Sequence, residues 1–473
     1  MVLASLLFCL VLVLTALEVV RSSAPVRTLI VGGGPAGLLS AHALLGRYKN
    51  SQYTFETLIV ESRDDPQLEA AGPRSYSLGL NLRGQSALKH FDRPGRSFGL
   101  VHAVKSEGVP SESFFLHIGK LKLQIRKPSK QGTKNAPPPT IMIPRNRLAA
   151  ALSRKGQELF GERFETKFNT RVNSVDLKLR RAVLSDGTVF QYDLLIGADG
   201  VNSAVRHAMQ KQLPEFSAVE TVLPGAYKVM VSERPEKLEG DSIHALSSSN
   251  KDAANSFGLF LIPAPNDKIC TLVTWKDEKS TPKVFADNGR VSDIQNAIET
   301  DFPLYGKPSV EAINQLALQS PSLAMTINCN TYTAPQESVI ILGDAAHSTG
   351  GTLGQGANSA LMDVVALDKA LDLHDDNLYL SLQTFNRLQQ PEGESLFKLL
   401  QLPPRGVFGL LYTVDQALRG FLSKLLPWFV PKPAQNALSQ TLLPFTQIVR
   451  QNWLWVWLAN RSKVAVSPRP TTS

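Results

Sequence analysis

Cysteine is scarce. The 473 residues hold three, Cys9, Cys270 and Cys329, too few and too scattered for a disulfide framework or a metal cluster. A single Asn-x-Ser sequon, Asn460 to Ser462, adds little, and the main body is expected in a reducing compartment. Zinc-finger spacing and RNA-binding aromatic signatures are also missing, which leaves no case for nucleic acid. Lys plus Arg number 50 against 41 Asp plus Glu. That basic balance suits nucleotide phosphates or an anionic membrane. Charged residues make up 19% and hydrophobic ones 43%, so the chain is globular rather than disordered.

One apolar run is long enough to span a bilayer, "MVLASLLFCLVLVLTALEVV", whose only charge is Glu18. It is also compatible with a cleaved signal peptide. Arg21 and Arg27 follow it and no cation precedes it, a pattern that favours a retained anchor with the body in the cytosol. The expectation is a membrane-associated protein of the endoplasmic reticulum or mitochondrial outer membrane. Near the other end, "GVFGLLYTVDQALRGFLSKLLPWFV" and "QNWLWVWLANRSK" mix aromatics with cations. Trp453, Trp455 and Trp457 alternate, Pro427 and Asp415 argue against a straight membrane span, and an interfacial contact competes with simple packing.

Glycine is concentrated where chemistry is expected. "VRTLIVGGGPAGLLSAHALL" reads as a buried strand, a turn carrying Gly32, Gly34 and Gly37, and an apolar helix. A second strand, "FETLIVE", ends on Glu61 after the loop insertion "GRYKNSQY". Glycines of this kind admit a pyrophosphate to a helix N-terminus, and the acid can accept from a ribose hydroxyl. A bare glycine turn would not need the acid. "LKLRRAVLSDGTVFQYDLLIGADG" suggests a hairpin at Asp186-Gly187 and an antiparallel strand running into Asp199-Gly200. "AYKVMV" and "FGLFLIPAPNDKICTLVTW" add strands, the latter turning at Pro265 to Asp267. Later, "ILGDAAHSTGGTLGQGANSA" sets five glycines around Asp344, a cost in backbone entropy that implies close approach of a ligand.

The three motifs, in this order, resemble the single-component FAD-dependent monooxygenases of the aromatic-hydroxylase type (class A), nearest to the kynurenine 3-monooxygenase family. "RSYSLGLNLRGQSALKHF", "MIPRNRLAAAL" and "TFNRLQQPEGESL" extend the resemblance over about residues 26–400. It implies an α/β fold: a three-layer, Rossmann-like FAD/NAD(P)-binding domain (25–110, 142–215, 325–390) and an interleaved antiparallel substrate domain (111–141, 216–324). The sequence pattern adds a hydrophobic anchor or signal before them (1–24) and a helical C-terminal region after them (391–473), which either contacts a membrane or packs on the body. The resemblance also implies FAD as cofactor, NADPH or NADH as co-substrate, and O2 transfer to a small molecule through a flavin C4a-hydroperoxide. FAD would contact Gly32, Gly34, Pro35, Ala36, Gly37, Glu61, Ser62, Arg63, Arg83, Arg145, Val172, Asp199, Gly200, Gly343 and Asp344. Backbone amides of Gly356, Ala357 and Asn358 would meet the isoalloxazine edge. No metal is implied, and the oligomeric state stays open. His347 reads equally as a buried histidine beside this loop.

Two departures concern substrate. Gly351 replaces the family's proline near the flavin, and Phe114, with Glu112 nearby, stands where kynurenine enzymes carry a carboxylate-binding arginine. The partnering tyrosine and asparagine have no counterpart, "LLQLPPRG" occupying the latter's region. A guanidinium gripping a desolvated carboxylate is hard to replace. A more apolar, aromatic or isoprenoid substrate is therefore expected, in a pocket with Phe114, Leu116, Tyr227 and Gly351, unless the loop Lys127 to Thr140 delivers a cation. Kynurenine itself and squalene-type epoxidation remain alternatives. A flavin halogenase lacks its Trp-x-Trp-x-Ile-Pro signature here, and a flavin-free binding protein of the Rab GDP-dissociation-inhibitor kind would have lost the later motifs.

Overall fold

The computed structural model describes residues 25–47, 53–68, 76–119, 121–128, 136–248, 255–276, 281–286 and 290–461. The expected anchor, residues 1–24, lies outside them, as do residues 129–135 of the proline-rich loop.

A six-stranded sheet organises the first half of the fold. Its order is Thr333–Ala334, Val339–Ile341, Leu194–Gly197, Val26–Val31, Phe55–Val60 and Phe164–Lys167. All neighbours are parallel except the first pair. Strands such as "TLIV" and "LLI" are apolar on both sides, as a sheet covered on both faces requires; Leu29, Ile30, Leu194, Leu195 and Ile196 are fully buried. That corrects the expectation for "DLLIGADG": Leu194–Gly197 is a central parallel strand, not part of the antiparallel array. The hairpin at Asp186-Gly187 does form, joining Arg181–Leu184 to Val189–Gln191.

Helices are numbered along the chain: α1 (Pro35–Leu45), α2 (Leu82–Phe91), α3 (Leu100–Lys105), α4 (Arg145–Phe160), α5 (Ala204–Gln212), α6 (Val291–Asp301) and α7 (Val310–Leu318). They continue as α8 (Asp344–His347), α9 (Gly356–Leu373), α10 (Leu378–Leu399), α11 (Val407–Leu425), α12 (Ala434–Gln440), α13 (Phe445–Gln451) and α14 (Trp453–Arg461). α1 is buried along nearly its whole length and packs against both α4 and α9.

The second sheet has seven strands, in the order Ser322–Cys329, Ala218–Glu233, Lys268–Trp275, Gly258–Ala264, Ile243–Ser247, Phe114–Ile118 and Leu121–Arg126. Its side chains alternate between two faces, as strands must. Met230, Leu261 and Ile269 pack under α6 and α7, while Val229, Ile262 and Cys270 point the other way. The expected turn at Pro265 to Asp267 is made with Asn266 and Asp267 both left-handed, φ 63° and 55°. The outermost strand of this sheet, Ser322–Cys329, crosses the expected boundary at 324/325.

Candidate functional site

Register brings the motifs together. Val31 pairs with both Val60 and Gly197, and Gly197 pairs with Ile341. Four parallel strands therefore end level, and the chain leaves them at Gly32, Glu61, Ala198-Asp199 and Leu342 to Asp344. The crevice beyond the carboxyl ends of such strands is where this class of sheet binds ligands.

The glycines divide the work. Gly32 has φ 107°, and a Cβ there would run into the Ala198 carbonyl; one on Gly37 would run into the Gly32 carbonyl. Both positions let backbone pack on backbone. Gly34 differs: a Cβ would meet only the Arg145 guanidinium, 3.6 Å away. Gly34 also caps α1 without any side-chain hydrogen bond, Pro35 opens the helix, Ala36 and Gly37 follow, and the first turn holds no acid. Free amides, a helix dipole and Arg145 thus converge on one open spot.

Around that spot stand three acids. The Glu61 carboxylate accepts from the Gly33 amide at 2.8 Å and the Arg63 amide at 3.0 Å, with the Ser62 hydroxyl at 3.2 Å. Val172 lies two residues beyond Thr170, whose amide donates to the Glu61 carbonyl at 2.9 Å. Asp199, beside Gly200, accepts from the Ala204 amide at 2.6 Å through Oδ2. Its Oδ1 is buried without a partner, and burial pushes this carboxyl up. Asp344 follows Gly343, whose amide donates to Asp363 at 2.9 Å, and its Oδ1 lies 3.5 Å from where a Gly356 Cβ would stand. Gly356 opens α9, a second helix start with neither a side-chain cap nor an acid in its first turn. Burial raises the Tyr76 hydroxyl, and Arg145, Asp344 and Arg63 all act on it. Burial raises Tyr227 in the same way, beside Tyr76, while the Arg145 cation opposes the rise.

One expected contact needs revision. Arg83 is turned away from the crevice: it donates to the Leu438 carbonyl at 3.1 Å and to the Leu443 carbonyl, and lies 4.2 Å over the Phe445 ring. Burial lowers it to about 10. The Asn358 side chain anchors the start of α9 instead of facing the crevice, accepting from the Asn81 and Gly84 amides and donating to the Gly79 and Gly354 carbonyls at 2.9–3.2 Å. Only its backbone, with Ala357 and Gly356, remains for a ligand. His347 is buried and bonded to Asp363 at 2.7 Å, beneath the loop rather than in the crevice.

Beside the crevice lies the inner face of the seven-stranded sheet, where Phe114, Tyr227, Phe260, Leu272 and Tyr76 are half-buried around Cys270 and Ile262. Leu116 follows Phe114 on the same strand, also half-buried, and Gly351 (φ 77°) leaves open space where a Cβ would point. Arg126, the strand partner of Phe114, is spent on the Glu112 and Ser111 carbonyls, the Ser111 hydroxyl and the Thr140 hydroxyl at 3.1–3.2 Å.

Several contributors escaped the sequence reading. Tyr76 lies just ahead of the strand Ser77–Leu80, and the alternation of "LFLIPA" and "KICTLVTW" is the signal that pairs Phe260 with Leu272. Arg206, fully buried, joins Glu220 at 2.8 Å to the Val201 and Ala345 carbonyls, so it ties the Asp199 loop to α8. A separate cavity of about 510 Å³ is lined by Arg47, Arg93, Arg96, Asp372 and Asp376. Its charges pair with one another, chiefly through Arg47.

The crevice fits a dinucleotide: amides and Arg145 for phosphate, unpaired or terminal carboxylates for hydroxyls, and an uncapped helix for an electron-rich ring edge. Residues 25–374 match the family described as FAD binding domain. The chain belongs to that family. FAD is its cofactor, and it is an FAD-dependent oxidoreductase of the monooxygenase type. Kynurenine 3-monooxygenase of Salinispora arenicola is 25% identical over 447 residues, covering 89% of each chain. Violacein synthase of Chromobacterium violaceum is 27% identical over 395 residues, 78% of this chain and 83% of that one. Among solved structures, tetrameric 2-methyl-3-hydroxypyridine-5-carboxylic acid oxygenase superposes with a TM-score of 0.62 at 20% identity, over 88% of this chain and 96% of that chain.

Proposed function

We propose that the chain uses NAD(P)H and O2 to hydroxylate a small apolar or aromatic substrate that brings no carboxylate for the protein to grip. FAD, when bound, supplies the activation of oxygen and its transfer. The residues of the chain bind and orient. Gly34, the α1 amides and Arg145 would hold the pyrophosphate, Glu61 a ribose, and Asp199 Oδ1 a donor that repays its burial. Asp344 would take the ribityl hydroxyls, and the α9 amides of Gly356, Ala357 and Asn358 would stabilise negative charge at the ring edge. Phe114, Phe260, Leu272, Tyr227 and Leu116 would enclose the substrate and exclude water.

The observation that carries the substrate reading is Arg126. It is the cation paired with the Phe114 position, and its hydrogen bonds are already made to backbone and hydroxyl groups. A buried substrate carboxylate left without such a partner costs roughly 2–5 kcal/mol. The competing reading is kynurenine itself, favoured by the relatives that bear its name. Purified yellow protein mixed with L-kynurenine, NADPH and O2 decides between them. No substrate-stimulated NADPH oxidation above the peroxide-forming background is expected. Coupled turnover to a hydroxylated product would refute the carboxylate-free assignment.

A further inference from the structure

Helix α11 is mounted inside out. Its polar side grips the helices that follow it: Asp415 accepts from the Trp455 indole at 2.9 Å and pairs with Arg419 at 2.9 Å. Gln416 accepts from the Ala434 amide at 2.7 Å, and Arg419 donates to the Gln451 carbonyl at 3.0 Å. Tyr412, Asp415, Gln416 and Arg419 share one helix face by spacing. The apolar residues face the other way, and no residue of the helix is buried. Leu418, Phe421 and Leu425 are 56–63% exposed, and the surface continues through Trp428 and Phe429, 92% and 84% exposed. Surface helices of water-soluble domains do the reverse, and a contiguous exposed patch of this kind marks a binding face.

Charge identifies the partner. Residues 401–461 contain six Lys or Arg and one acid, Asp415, and that acid is turned inward on Arg419 and Trp455. Lys424, Lys432 and Arg450 are exposed on the same segment. A second copy of the chain would set this cationic segment against itself, with no acid to answer it. No helix among the described residues is long and apolar enough to cross a membrane. We infer that α11, the Leu426 to Phe429 turn and α14 dock flat on an anionic lipid surface, with Phe421, Trp428, Phe429 and Trp453 entering the headgroup boundary and the cations meeting lipid phosphate.

The test uses the full-length, FAD-loaded chain and vesicles of phosphatidylcholine with or without phosphatidylserine. Wild-type protein should float with the anionic vesicles, release at high salt, and show tryptophan emission quenched by brominated lipid. The variant Leu418→Gln/Phe421→Gln/Leu425→Gln should lose roughly tenfold or more in vesicle affinity, with FAD content and melting temperature unchanged. Leu373→Gln, at a 66% exposed leucine off this face, should bind like wild type. If the triple variant loses FAD, Trp428→Gln/Phe429→Gln replaces it in the same assay. Three results overturn the inference: wild type that does not float, face variants that float undiminished because residues 1–24 carry the binding, or face variants that only turn a dimer into a monomer.

Discussion

Helices α9 and α11 are almost the same length, 18 and 19 residues, and they reverse each other's rules. α9 buries twelve residues, among them Asn358, Ser359, Asp363 and Asp368; α11 buries none while carrying phenylalanines and leucines. The buried acids of α9 are architectural. Asp363 holds the Gly343 amide and His347 at once. Asp368, with no exposed surface, gathers Arg47, His90, Arg93 and Arg96. In α11 the acid is a latch and the apolar side is what remains outside. Burial here follows what each helix must touch, and side-chain hydropathy alone does not reveal it.

The sharpest way to break the contrast is Asp368→Leu. It removes the one carboxylate shared by Arg47, His90, Arg93 and Arg96, leaving the buried Arg47 to Asp372 and Asp376 alone, and should cost about 3–5 kcal/mol in urea unfolding. Next is acid. Burial pushes the Asp368 carboxyl up, but His90, Arg96 and Arg47 outweigh it and hold it at about 2 against an ordinary 3.8. A folded value below the unfolded one stabilises above the unfolded value and is lost as pH falls. About 2 kcal/mol should therefore disappear between roughly pH 4 and pH 2 in the wild type and not in the Leu variant. His347 works in the opposite direction. Burial alone would lower it, yet Asp363 outweighs burial and raises it above 6.5. Its contribution is complete below the unfolded value and fades as pH climbs through the folded one, so the melting temperature should decline as pH rises above 6.5. Asp363→Asn should flatten that decline. The smallest effect belongs to α11: Leu418→Gln should shift unfolding by less than about 0.5 kcal/mol, since water already reaches that side chain.

The cofactor crevice was largely legible because its signals are local. Gly32 to Gly37, Glu61 and Asp344 sit at strand ends that apolar runs announce, and parallel pairing carries those ends into register. Side-chain commitments were not legible. Arg83 and Asn358 lie in motif positions, but partners 274 to 360 residues away in sequence claim them, and no spacing shows that. Trp453, Trp455 and Trp457 suggested alternation, yet α14 is a helix in which Trp455 turns inward to Asp415 while Trp453 and Trp457 stay exposed. The mixture of aromatics and cations in α11 left open which of its sides meets the protein.

Leu353 gives the C-terminal helices a second duty. It belongs to the glycine loop ahead of α9, yet it packs with Leu396, Ala437, Leu438, Phe445 and Ile448. The same segment supplies the two carbonyls that hold Arg83. A chain cut after α10 would uncover Leu353 and orphan a buried guanidinium. The tail thus buttresses the glycine loop ahead of α9, and removing it should release FAD and bleach the protein.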